Sequence, residues 1–145
     1  MGRYTPHVIR DACEADTPSL RQVFLDSRRA ALHWLDGSAM KLDDFDRESA
    51  GESVLVAEYE GQVVGLAAWW PPDNFLHSLY VKPGFQRRGI GTQLLEAALA
   101  QMGRPVQLKC LTRNQPAMAY YLAQGWHEYG RGQSSEGEYA LMRLT

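Results

Sequence analysis

Val81-Lys82-Pro83-Gly84-Phe85-Gln86-Arg87-Arg88-Gly89-Ile90-Gly91-Thr92 joins the end of one regular element to the start of another. Upstream, Phe75 to Val81 reads as a strand, stopped by Pro83-Gly84. Downstream, Gly89 to Met102 carries Ile90, Leu94, Leu95, Ala98 and Leu99 at helical spacing, so an amphipathic helix is expected there. The first N–H groups of a helix lack internal partners, and with the helix dipole they form an anion site. Glycines let the backbone approach an oxygen closely. The loop is therefore suited to phosphate. It is not a P-loop, because no GxxxxGK[ST] run exists. It is not a dinucleotide fingerprint either, because Leu94 stands where GxGxxG needs its third glycine. Taken alone, these residues also fit a tight strand-to-helix turn that holds nothing.

Outward from this loop, a first strand is expected at His7 to Arg10. A helix follows from Thr17-Pro18 to about Leu32, with the Thr17 hydroxyl as N-cap, and a short helix fits Leu42 to Ser49. Val54 to Tyr59 and Val63 to Trp70 read as a hairpin turning at Glu60-Gly61. Val106 to Leu111 is a strand, and Asn114 to Ala123 a helix ended by Gly125. Trp126 to Gly130 and Tyr139 to Leu144 are final strands joined by a Gly/Ser-rich loop. The order predicts one domain over residues 1–145, an α/β (α+β) fold with a mixed, mostly antiparallel central sheet flanked by helices. A strand-helix-strand crossover spans residues 75–111.

The chain has 145 residues, 45% hydrophobic and 22% charged, and a net charge of −2. That length buries a core without disulfide or metal. The near-neutral charge argues against a nucleic-acid binder. Cys13 and Cys110 make no framework, which favours a reducing compartment. The longest apolar run, Val63 to Trp70, is eight residues, against the roughly 20 that span a bilayer. Residues 1–6 lack the apolar stretch of a signal peptide, and Pro6 stands where myristoylation after Gly2 needs Ser or Thr. A cytoplasmic protein with no membrane partner is expected. Charge is uneven, with eight acids and two bases from Asp36 to Glu60, but six bases and one acid from Lys82 to Arg113. Two solvated faces, or a phosphate-bearing ligand on one side and a cationic one on the other, both fit that pattern.

Two segments carry a resemblance. Gln86-Arg87-Arg88-Gly89-Ile90-Gly91 after the strand Leu79-Tyr80-Val81 is similar to the Q/R-x-x-G-x-G/A signature of the GNAT superfamily of N-acetyltransferases. Asn114 to Trp126 resembles that superfamily's N-x-x-A-x-x-F-Y-x-x-x-G-F segment, with Tyr120 and Trp126 in place of the two phenylalanines. The expected strand order also matches, so the resemblance covers nearly the whole chain. It implies acetyl-CoA as cofactor and an amine as acceptor. It implies pyrophosphate held by loop amides from Gln86, Arg87, Gly89, Ile90, Gly91 and Thr92, with Arg87 and Arg88 adding charge. It implies pantetheine paired with the backbone of Leu79, Tyr80 and Val81, where the strands at about 75–81 and 106–111 splay apart, and touched by Asn114.

Acetyl transfer needs a neutral amine, a stabilised oxyanion and a protonated leaving thiolate. A lysine-like amine with pKa ~10.4 is neutral in only about one molecule in ~2500 at pH 7, a deficit of ~4.6 kcal/mol. By the resemblance, Tyr121 is the acid that protonates the thiolate and the Leu79 amide a partner for the thioester carbonyl. Tyr120, about 100° round the helix, is expected to face elsewhere. The base is read from the strand: alternation puts Phe75, His77 and Leu79 on one face, and Leu76, Ser78 and Tyr80 on the other. The family's glutamate is absent, because Phe75 stands there, which makes His77 the candidate and Asp73 and Glu58 the runners-up. His77 as a structural histidine, and Trp69-Trp70 as either core or cleft lining, also remain open. His7, His33 and His127 are scattered without ligand spacing, and no metal is expected. The acids of residues 36–48 would draw a cationic acceptor. A homodimer is one state the sequence allows, and a CoA-binding module without catalysis is the alternative function.

Overall fold

The computed structural model describes residues 7–145, so the readings placed on residues 1–6 lie outside it. The strands are β1 (Val8–Asp11), β2 (Ser53–Tyr59), β3 (Gln62–Trp70), β4 (Phe75–Val81), β5 (Val106–Leu111), β6 (His127–Ser134) and β7 (Gly137–Leu144). The helices are α1 (Thr17–Ala31), α2 (Asp44–Glu48), α3 (Ile90–Gln101) and α4 (Gln115–Ala123). The strands form one sheet in the order β1-β2-β3-β4-β5-β7-β6. All neighbours are antiparallel except β4 and β5, the two joined through α3. The expected mixed sheet and its crossover are present.

Several boundaries differ from the sequence reading, each for a local reason. Asp16, not Thr17, caps α1, because a 3-10 turn at Glu14–Asp16 runs directly into the helix. The short helix shrinks to Asp44–Glu48, where only Phe45 is buried to hold it. The presumed Gly/Ser-rich loop after Gly130 is strand: β6 continues to Ser134 and pairs with β7 up to Ser134↔Gly137. Its glycines keep the ladder because Gly132 leaves room for the Tyr139 ring, whose hydroxyl would lie 2.4 Å from a Cβ there.

The sheet buries both faces. On one, Ile90, Leu94, Leu95 and Ala98 of α3 pack on Leu55, Ala57, Val64, Ala67 and Leu76, joined by Val106, Leu108, Trp126 and Met142. On the other, Leu20, Val23 and Phe24 of α1 and Phe45 of α2 pack on Val56, Leu66 and Ala68. Trp69 is in the first core, 4% exposed, whereas Trp70 lies outside at 40%. The Trp69-Trp70 pair is thus core and surface, and neither ring lines either of the two cavities described below.

At the sheet's first edge, Arg10 holds Asp16 bidentately, at 2.8 and 2.9 Å, and also Glu58 at 2.9 Å. The Asp16 carboxylate takes a further bond from the Cys13 N–H at 2.8 Å. Hydrogen bonding by Arg10 holds the Asp16 carboxyl well below the usual carboxylate range. A depressed folded value stabilises the fold above the ordinary aspartate value near ~3.9, and that contribution is lost as pH falls toward the depressed value. Asp16→Asn should therefore cost about 1–3 kcal/mol at pH 7 and much less at pH 2–3, measured by urea unfolding at both pH values.

Candidate active site

The crossover pair barely forms. β4 and β5 share a single pair, Phe75↔Gln107, with Gln107 N–H donating to Asn74 O at 3.0 Å, and beyond it they separate. The splay at 75–81 and 106–111 is thus a feature of the chain. The edge of β4 that faces it is defined by alternation. Lys82 N–H donates to Val64 O of β3 at 2.7 Å. Successive strand residues direct their backbone groups to opposite edges, so Tyr80 also faces β3, while Leu79 and Val81 face the split. The Val81 carbonyl accordingly accepts from Ser27 Oγ (3.3 Å) and Gln86 Nε2 (3.4 Å) rather than from β3.

A cavity of about 700 Å³ occupies the split. Leu79, Tyr80, Val81, Gln86, Arg87, Gly89, Ile90, Gly91, Thr92, Asn114 and Tyr121 all line it. Arg87 and Gly89 both adopt left-handed backbone, φ 65° and 78°, on either side of Arg88. Such alternations turn backbone N–H groups inward to form anion concavities. Gly89 is the N-cap of α3 and supplies no side-chain cap, so the first-turn N–H groups remain for a ligand. The Ile90 side chain is core, 1% exposed, which leaves its backbone for the cavity. Tyr80 likewise contributes its side chain, edge-on to Phe24 at 5.6 Å. Asn114 caps α4, its Oδ1 accepting from Ala117 N–H at 3.4 Å. Arg88 is the exception. Its guanidinium sits over Tyr59 and Phe85, 5.4 and 5.2 Å from the ring centroids, and it does not line the cavity. Arg113, which the sequence reading passed over, does line it, 5.4 Å from the Trp34 centroid.

Tyr121 faces this cavity with its ring edge-on to Trp126 at 5.6 Å. Its hydroxyl has no hydrogen-bond partner among the described residues. Burial pushes its pKa far above the ordinary tyrosine value, so the phenol stays protonated. Tyr120 does not face elsewhere as expected. It lines the same cavity, 5.4 Å from the Tyr121 ring, because its hydroxyl bonds Thr92 Oγ1 at 3.0 Å across to α3. α4 has no buried residue and lies along the split, so two adjacent positions both reach it.

The expected alternation along β4 fails at His77. Ala68 pairs with Ser78 but Trp69 with Leu76, so His77 is the extra residue of a β-bulge. After the bulge the faces exchange: Leu76, Leu79 and Val81 belong to the α3 side, and Tyr80 to the α1 side. His77 is therefore not on Leu79's face. With Phe75 and Ser78 it lines a second cavity, of about 360 Å³, bounded by α1, α2, β5 and the β6–β7 turn. The two cavities share no lining residue, but chain neighbours wall them: Ser27 and Leu79 line the first, Arg28 and Ser78 the second. His77 Nδ1 lies 2.8 Å from Glu52 Oε2, and Nε2 lies 3.7 Å from Glu48 Oε2. Hydrogen bonding to Glu52 raises the His77 pKa above its ordinary 6.5. Glu52 carried no sequence signal, since it is 25 residues from His77. Glu58 is engaged with Arg10, and neither it nor Asp73 lines either cavity. The acids meant to draw a cation are mostly paired: Asp46 with Arg21 at 2.6 Å, Asp43 and Asp44 with Arg47.

This geometry agrees with the comparisons. The Acetyltransferase (GNAT) family matches residues 12–126. The peptidyl-lysine N-acetyltransferase YiaC of Escherichia coli strain K12 is 29% identical over 127 residues, covering 83% of each chain. The structure of a ribosomal-protein-alanine N-acetyltransferase from Brucella melitensis superposes with TM-score 0.67 at 28% identity, covering 94% of this chain and 98% of that one. The PaiA N-acetyltransferase of Thermoplasma acidophilum, in complex with coenzyme A, gives TM-score 0.78 at 16% identity over 94% and 98% of the two chains. The chain belongs to the GNAT family of acetyltransferases. It is an enzyme that moves an acetyl group from acetyl-CoA to an amine.

The residues present fit acetyl-CoA: an uncapped helix start for phosphate, an open strand edge for the amides of the pantetheine arm, and a phenol further in. A Cβ at Gly91 would meet Val81 Cγ2 at 3.5 Å, an ordinary contact, so the fold tolerates one. Gly91→Val should therefore weaken acetyl-CoA binding more than tenfold by calorimetry while the melting temperature hardly moves. Gly89→Ala, forced into φ +78°, should instead cost stability, by about 1–2 kcal/mol.

Proposed function

We propose that acetyl transfer occurs by direct attack in a ternary complex, with acetyl-CoA in the larger cavity and the amine entering through the smaller one. The observation that carries this reading is that the successive residues Ser78 and Leu79, beside the open edge of β4, line the two cavities one each. Bound acetyl-CoA supplies the thioester whose acyl group moves.

The chain's own residues then have separate tasks. The loop Gln86–Thr92 holds phosphate through backbone N–H groups, with Arg87 and Arg113 adding positive charge. Leu79 N–H, pointing into the split, is placed to donate to the acyl oxygen. His77 Nε2 takes the proton of the attacking amine, directly or through water, while Glu52 holds Nδ1 and fixes the ring. The N–C bond forms as the C–S bond breaks, and the Tyr121 hydroxyl gives its proton to the sulfur. A half-buried phenol left without another partner is suited to donate. The pairing of Asp43, Asp44 and Asp46 weakens their role in attracting a cationic acceptor. A cytoplasmic setting is supported by two unpaired cysteines, exposed Cys13 and buried Cys110. No helix among the described residues is long and apolar enough to cross a membrane.

Two measurements test the assignment. Tyr121→Phe should lower kcat at least about tenfold with little change in KM or acetyl-CoA affinity. Because burial raises the phenol's pKa, no tyrosine limb should appear in the alkaline range of the parent's pH profile. Full kcat in the Phe variant would show that Tyr121 only packs. Activity should rise with pH as His77 loses its proton, with a midpoint above ~6.5. Glu52→Gln removes the carboxylate that favours the protonated ring, so that midpoint should fall. An unmoved midpoint would remove His77 as the base.

A further inference from the structure

One cation of the smaller cavity stands without a counter-ion. The cavity lining includes Arg28, Lys109 and His77 against Glu48 and Glu136. Four of these five groups have partners. Arg28 donates to Glu136 and lies 5.4 Å over the Phe24 ring, and Glu48 approaches His77. Lys109 forms no ion pair among the described residues. Its Nζ rests 4.8 Å from the centroid of Tyr139, another lining residue.

Alternation along β5 puts Lys109 on this side by construction. Val106, Leu108 and Cys110 enter the core on the α3 side, so Lys109 stands on the α1 side, at the wall opposite β4. Lys109 is exposed, and its ammonium, beside an aromatic face and without a counter-ion, is free to take an anion. Arg28 keeps guanidinium donors beyond the one given to Glu136 and can share that anion.

We propose that the acceptor is a small amine that also carries a carboxylate, of the free α-amino acid class, its carboxylate held by Lys109 with Arg28 and its amine directed to Ser78 and His77. This rests on the ternary-complex reading above and narrows it. Size supports it. A cavity of about 360 Å³ lies near the lower end of small-molecule sites and holds one molecule of amino-acid size. A lysine side chain on a protein, or a simple polyamine, brings no anion beside its amine and would leave Lys109 unanswered. A dominantly cationic acceptor would stand against the unpaired Lys109 ammonium.

The test compares matched pairs that differ by one carboxylate: L-phenylalanine with phenethylamine, L-methionine with 3-(methylthio)propylamine, and L-lysine with cadaverine, alongside lysine-containing and alanine-terminated peptides. Acetylation is followed by release of the CoA thiol. The amino acid of at least one pair should exceed its decarboxylated partner about tenfold or more in kcat/KM, as loss of one charge-assisted contact predicts. In Lys109→Met that ratio should collapse toward one, mainly through a raised KM for the amino acid. Lys109→Arg should restore it. Amines used as well as their amino acids, transfer confined to peptides, or a ratio that survives Lys109→Met would each overturn the acceptor class and leave the transferase reading intact. Absence of transfer to every amine, with acetyl-CoA still bound, would overturn both.

Discussion

The larger cavity of this molecule follows from a pairing that stops after one step. β4 and β5 meet at Phe75↔Gln107 and then diverge, so a strand in the middle of the sheet carries an unpaired edge. Backbone polar groups buried without partners are costly, and a sheet interior normally satisfies them by its own ladder. Here Leu79 and Val81 turn theirs to a cavity, and only the Val81 carbonyl finds side-chain donors. The unmet hydrogen bonding of one strand edge thus offers a surface suited to a linear, amide-bearing arm. The cores on both faces, α3 on one and α1 on the other, hold the sheet rigid enough for that edge to persist.

The helix that makes the crossover also supplies the second half of the site. A parallel connection demands a helix between the strands. Its start must lie at the carboxyl end of the first strand, the end at which the sheet opens. The open start of α3, proposed to hold phosphate, and the gap between β4 and β5 are therefore one topological event. Gly89 lets the chain enter the helix at φ 78° without a capping side chain that would compete for the N–H groups.

The loop, the crossover and the order of strands were legible in the sequence because each rests on local chemistry: proline stops, helical spacing and glycines at a turn. Nearly all residues expected to touch the cofactor do meet in one cavity. The failures were of a different kind. His77 was placed on the wrong face because a single-residue bulge reverses alternation, and a bulge has no signature in Phe75-Leu76-His77-Ser78-Leu79. Tyr120 was sent away by helical geometry, although Thr92, 28 residues earlier, draws it back. Glu52, Lys109 and Glu136 were invisible as a group because only the folded sheet brings the turn before β2, β5 and the last hairpin together. Arg88 was read as a phosphate ligand from its neighbours, whereas two aromatic rings compete for it.

The contact between Arg28 and Glu136 spans 108 residues of sequence, whereas the phosphate loop and its helix are nearly contiguous. The two halves of the site therefore differ in contact order. Loop closure over so long a span is slow and comes after local contacts have formed. On a ribosome, the segment proposed to grip the cofactor is synthesised well before the hairpin that walls the smaller cavity. For part of its synthesis the nascent chain has the residues proposed to bind its acyl donor but not the enclosed cavity proposed for the amine.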